Sequence, residues 1–165
     1  MPPYSITTNF LDNTDENFRA VELHGLACST FSQINDISII FKHEGAGAGG
    51  LIFQSSSGDR FFVGLGVEWI GIVPDLQSNE TASATLSTFY GQGVRNNADW
   101  YTGKPAYIAK DSKGRSIMVD YYVPGGNDLI ANIIVFNFSR EQSNDCGLAT
   151  AVQGGADSWR VLKPR

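Results

Sequence analysis

An all-β domain, with antiparallel strands packed as a sandwich or barrel, is the fold class this sequence predicts, and three observations predict it. Short runs rich in β-branched and aromatic residues recur at regular spacing, turn-forming clusters separate them, and the composition supplies 18 Gly with 10 Phe, 6 Tyr and 3 Trp. The length of 165 residues suits one domain, and a hydrophobic fraction of 42% supplies an ordinary core.

The strand runs are YSITTNF (4–10), FRAVEL (18–23), ISIIFKH (37–43), GLIFQ (50–54), RFFVGLGVEWIGIV (60–73), AYIAK (106–110), RSIMVDYYV (115–123) and LIANIIVFNF (129–138). Their β-branched and aromatic residues fit a pleated, half-buried surface. Turn signals stand between them: Ser57-Gly58-Asp59, Asp111-Ser112-Lys113-Gly114 and Pro124-Gly125-Gly126-Asn127. One stretch breaks the pattern. Ala82, Leu86, Phe89 and Tyr90 fall at i, i+4, i+7 and i+8, which predicts a helix from about 79 to 90. Ser78 or Asn79 can cap its start, and Gly91 and Gly93 can end it. Its Ser and Thr residues are mediocre helix formers, so it depends on packing Leu86, Phe89 and Tyr90 against a sheet. Beyond 138 the chain turns polar and Gly-containing. This tail is either partly disordered or docked through Trp159 and Leu162.

Charge narrows the function classes. A net charge of −5 and a pI near 4.9 repel phosphate backbones and anionic lipid surfaces, so nucleic acid and bare membrane are poor partners. The N-terminus has neither a basic start nor an apolar run of signal-peptide length, and cytoplasmic residence is expected. Cys28 and Cys146 lack metal-ligand spacing and read as free or buried thiols. The tripeptides at 79–81 and 137–139 fit the glycosylation acceptor pattern, which matters only in a secreted protein. GAGAGG at 45–50 fits G-x-G-x-x-G through Gly45, Gly47 and Gly50, but a strand follows where a dinucleotide site needs a helix. It reads as a loop between strands. His24 and His43 lie in no metal or hydrolase motif, so neither enzymatic activity nor a metal or other cofactor is expected.

Binding chemistry gathers around the helix. Asp75 is an acceptor, Arg95 a planar donor fork, Ser78 a hydroxyl and Tyr107 an aromatic face with a polar tip, a set that complements a neutral sugar. The competing reading has Asp75 capping the helix, or pairing with Arg95 in a surface salt bridge worth about 0–1 kcal/mol.

The segments GLGVEWIGIVPDL, FYGQGVR and AYIAKDSKGRSIMVDYYVPGGNDLIANIIV, with NFRAVE and the Gly-rich loop upstream, resemble the fungal fruit body lectins over about residues 5–136. KGR at 113–115 and GNDLIANIIV at 126–135 are the most specific pieces. The resemblance implies an actinoporin-like β-sandwich of two sheets joined by a helix-loop-helix connection, whose helix would form a wall between the sheets. It implies a lectin domain over 1–137, with 138–165 as an extension. It further implies glycan and glycoconjugate partners without catalysis, membranes reached only through glycolipids or glycoproteins, and assembly as a homodimer or homotetramer.

Two sugar sites come with the resemblance. The N-acetylglucosamine site maps onto Asp75, Leu76 (the family has Ile), Ser78 (for Thr), Arg95 and Tyr107. Asp75 would accept from ring hydroxyls, Arg95 and Ser78 would make polar contacts, Tyr107 would stack, and Leu76 would form a wall. The Galβ1-3GalNAc site maps onto Gly45 and Ala46, where the family has Ser-Gly, and onto Glu68 and Trp69, where it has His-Asn. Losing that hydroxyl and amide predicts that recognition of this disaccharide is lost or altered. Two alternatives accompany the lectin reading. One is a pore-forming cytolysin, which needs a mobile amphipathic N-terminal helix where residues 1–20 read as strand and loop. The other is a storage or defence protein with decayed sugar sites.

Overall fold

The alternating runs become strands of two sheets in the computed structural model, which describes residues 4–26, 29–35, 38–43, 48–66, 69–91, 99–102, 106–125 and 128–137. In chain order the elements are β1 (Tyr4–Asn13), β2 (Arg19–Leu26), β3 (Ser29–Asn35), β4 (Ser38–His43), β5 (Ala48–Gln54), β6 (Arg60–Gly66) and β7 (Trp69–Val73). Helix α1 (Ala82–Gly91) follows, then β8 (Asp99–Thr102), β9 (Ala106–Lys110), β10 (Arg115–Gly125) and β11 (Asp128–Asn137). One sheet has six strands in the order β3-β4-β1-β11-β10-β9, the other five in the order β2-β5-β6-β7-β8. Among the described strands the pairing is antiparallel except for β1 with β11, which run parallel.

The main core lies between the sheets. Strand β11 gives Leu129, Ala131, Ile133 and Val135 to it and turns Ile130, Asn132 and Ile134 outward, the alternation of a strand with one buried face. Phe53 stacks on Phe10 and Phe61 with ring centroids 4.3 and 5.0 Å apart, tying the sheets together. Strands β5 and β6 are buried along almost their whole length because the outer face of their sheet is covered as well. There Ala48, Ile52 and Phe62 pack with Leu76 and with Ala82 and Leu86 of α1. Gly50 is required at this contact, since a Cβ there would lie 2.6 Å from the Phe62 ring.

Several expectations are corrected. The run at 60–73 forms two strands, β6 and β7, paired Phe62 to Val73 through Gly66 to Trp69. Strands β3 and β8 lie in STFSQIN and DWYT, which carried no strand signal strong enough to be read. The helix starts at Ala82 rather than 79, and its cap is Thr81, whose hydroxyl accepts from the Ala84 N–H at 3.2 Å, in place of Ser78 or Asn79. It covers the outer face of the five-stranded sheet, so it is no wall between the sheets. Of its predicted packing residues Leu86 is fully buried, as is Ala82 on the same face, while the side chains of Phe89 and Tyr90 lie outside the described ones. Two of the predicted glycine turns are present, with Gly58 and Gly114 at φ of 94° and 82°, and the third, at 124–127, reaches residues outside the described ones. A second helix of the expected connection, the tail with Trp159 and Leu162, and both cysteines lie outside the described residues.

Candidate functional site

The loop leaving β7 carries three of the predicted site residues and is held from beneath by Arg60. Arg60 pairs across the sheet with Gln54, and its Nη1 donates to the carbonyls of Gln77, Ser78 and Glu80 at 2.9, 2.9 and 3.0 Å. The Gln77 N–H donates to the Glu80 carboxylate at 2.7 Å, and Glu22 accepts from the Ala82 N–H at 2.8 Å. A carboxylate at the first turn of α1 also suits the positive end of the helix dipole. Neither Arg60 nor Glu22 was legible as a site-building residue, since only the strand pairing brings them to this loop.

Asp75 is exposed, and its carboxylate accepts from the Ser112 N–H at 2.9 and 3.1 Å and from the Ser112 hydroxyl at 2.7 Å. It therefore fastens its loop to the turn at 111–114 and does not cap the helix. A carboxylate has about four lone-pair positions, so some accepting capacity is left facing solvent. Leu76 is 6% exposed in the cluster beneath α1, and its N–H donates to the Arg60 carbonyl at 2.9 Å. Ser78 is exposed, and its hydroxyl makes no hydrogen bond among the described residues.

The turn that receives Asp75 is itself clamped. Buried Asp111 accepts from the Lys113 N–H at 3.0 Å, the Arg115 N–H at 2.8 Å and Arg115 Nε at 2.5 Å. Arg115 Nη1 reaches Glu16 at 2.8 Å and Asp59 at 2.9 Å, its guanidinium lies 5.1 Å from the centre of the Phe18 ring, and Lys113 also binds Asp59. The hydrogen bond from Lys113, then those and the charge from Arg115, hold the Asp59 carboxyl below the usual range against the opposing effect of burial. Burial alone would lower the Arg115 pKa, and its bonds to Asp111 and Asp59 reverse this and raise it.

Tyr107 lies on β9 opposite Val119, half-buried against the main core. It is five residues upstream of Ser112, roughly 16 Å along an extended chain, and β7 lies against β9. The fold thus groups Asp75, Leu76 and Ser78 on one loop and places Tyr107 on the strand whose turn anchors that loop. Arg95, Gly45, Ala46 and Glu68 lie outside the described residues. Trp69 opens β7, its backbone paired with Gly66 and Thr102. Among the described residues no cluster of His, Cys, Asp or Glu could hold a metal, and no helix is long and apolar enough to cross a membrane.

The sequence profile of the fungal fruit body lectins matches residues 2–133. The fold is similar to that of wild-type Xerocomus chrysenteron lectin, with a TM-score of 0.71 and 28% identity over 81% of this chain and 99% of that one. A methionine-substituted variant of the same lectin gives 0.71 and 28% over 81% and 97%. The lipid-binding protein Nakanori shares the fold alone, at a TM-score of 0.53 and 9% identity over 81% of this chain and 71% of that one.

Proposed function

The chain belongs to the fungal fruit body lectin family and is a carbohydrate-binding lectin, and from that premise we propose that it binds N-acetylglucosamine-type sugars, without catalysis, at the loop before α1. Asp75, Ser78, Arg95 and Tyr107 are the polar contacts of this reading, and Leu76 gives the loop its apolar footing. The observation that carries it is the double anchoring of the loop, to Ser112 through Asp75 and to Arg60 through three carbonyls. An exposed polar loop held this rigidly offers hydroxyl-binding groups at little ordering cost.

The companion site at Gly45, Ala46, Glu68 and Trp69 is proposed to have lost or changed its recognition of Galβ1-3GalNAc. Calorimetric titration of N-acetylglucosamine, its short oligomers and Galβ1-3GalNAc tests both statements. The first sugars bind wild type, and Arg95→Ala and Ser78→Ala weaken them while the chain stays folded. Tight binding of the disaccharide, unaffected by either variant, sinks the assignment.

Single sugar sites are weak, so useful cell-surface binding calls for several sites on one assembly, and we extend the proposal to a homodimer or homotetramer. The outer face of the six-stranded sheet supports it, with Leu11 57% exposed beside half-buried Ile134, and half-buried Ile40 and Ile130 flanking Thr7 farther along β1. Cytoplasmic residence and defence through the glycolipids or glycoproteins of a feeding animal complete the proposal; cell fractionation and a feeding assay are its tests. The pore-forming alternative is disfavoured because β1, from Tyr4 to Asn13, is bonded on one side to β4 and on the other to β11. Releasing it would open the middle of a sheet.

A further inference from the structure

A second polar hollow lies where β2 begins and β5 ends. It is a cleft of about 240 Å³ lined by Asn17, Arg19, Val21, Gln54, Ser55 and Ser56. Arg19 and Gln54 are cross-strand partners, and a bulge between Ala20 and Glu22 leaves Val21 unpaired and 46% exposed. Bulges re-aim side chains in this way beside sites. Asn17 sits in the left-handed region at φ 52°, which asparagine enters more readily than most residues.

The walls are prebuilt. Asp12 accepts from Thr14 N–H, Thr14 hydroxyl and Phe18 N–H at 2.9, 2.6 and 2.7 Å. The N–H and hydroxyl of Ser56 both donate to the Glu16 carbonyl at 2.9 Å, and Ser55 Oγ accepts from the Asp59 N–H at 3.0 Å. Within this frame the Asn17 amide, the Arg19 guanidinium and the Gln54 amide make no hydrogen bond or ion pair among the described residues. Of the carboxylates nearby, Glu16 is engaged with Arg115 and Ser57, and Glu22 with the start of α1. Among the described residues that line the cleft, Arg19 is the one that carries a charge.

The geometry points to a binding site for an acidic sugar residue, a pyranose carrying a carboxylate. The guanidinium fork matches a carboxylate, the two amides can each donate to and accept from ring hydroxyls, and Val21 offers an apolar surface to the C–H face. The volume falls below the roughly 300–1,000 Å³ of drug-sized ligands and suits a single ring. The inference rests on the chain being a lectin, but not on the loop at 75–78.

The test is an NMR amide-shift titration of the full chain with glucuronate, glucose, acetate and N-acetylglucosamine, in wild type, Arg19→Gln and Asn17→Gly. Glycine tolerates the left-handed backbone at 17, and Arg19→Gln keeps an exposed, polar side chain, so both variants stay folded. Glucuronate should shift amides at 17–21 and 54–56, more strongly than glucose or acetate and less at high salt. Arg19→Gln should weaken it about tenfold or more, the loss of a charge-assisted hydrogen bond, and leave N-acetylglucosamine binding unchanged. Acetate binding as tightly as glucuronate, or an Arg19→Gln titration matching wild type, overturns the inference. Binding of N-acetylglucosamine with no response to glucuronate overturns it alone, whereas silence to both sugars overturns the proposed function as well.

Discussion

Arg115 shows how one side chain can fasten an end of a sandwich. It joins Asp111 on its own turn to Glu16 and Asp59, which lie 99 and 56 positions away in sequence. Replacing it with methionine leaves buried Asp111 without its cation, and Arg115→Met should lower unfolding free energy by about 3–5 kcal/mol in urea titrations. Asp59 gives the pH dependence. Its folded pKa is depressed, so its contribution is fully present above the ordinary carboxylate value of 3.8 and is lost as pH falls through the lower folded value. Acid unfolding followed by circular dichroism should therefore begin at higher pH in Lys113→Met, which lacks the leading cause of the depression. The KGR motif at 113–115 was conspicuous in the sequence. Its use as a clasp was illegible, because its partners are remote in the chain and nothing local announces them.

At the scale of elements, legibility follows burial. Strand β11 could be read because one face is covered and one is not, so its residues alternate. Strands β5 and β6 are covered on both faces, so period two disappears and β6 ran into β7 as one apolar stretch. Strand β8 has four residues, too few for any period to register. Helix α1 was legible in its face but not in its start, since Arg60 holds the carbonyls of 77, 78 and 80 out of the helix from another strand. Its stability should come from packing. Leu86→Ala is expected to cost about 2–5 kcal/mol, and Thr81→Ala about 0.5–2 kcal/mol, both measured by equilibrium unfolding. Gly50→Val should be worse tolerated than either, because the Phe62 ring occupies the space its side chain would need.

For the whole molecule, the sandwich itself was within reach of the sequence, whereas the candidate site was legible only in part. Asp75 and Ser78 could be picked out as polar groups beside a helix, but not the Ser112 and Arg60 anchors, which exist only once two sheets have met. The proposed assembly makes a prediction at this scale. Leu11 and Ile134 are register partners on the outer face of the six-stranded sheet, so the double substitution Leu11→Lys, Ile134→Lys should reduce the sedimenting mass and abolish cell agglutination. Affinity for a monovalent sugar should be unchanged, which separates assembly from recognition. The parallel seam between β1 and β11 bears on how the molecule is made. Ser5 is bonded to Asp128, 123 residues later, so the sheet can form only as two separate pieces, β3-β4-β1 and β10-β9, until β11 has left the ribosome and joins them. Through most of translation the first strand waits with one edge open and its apolar residues uncovered, which is when a nascent chain aggregates. A premature stop before residue 128 would leave the six-stranded sheet without the strand that joins its halves.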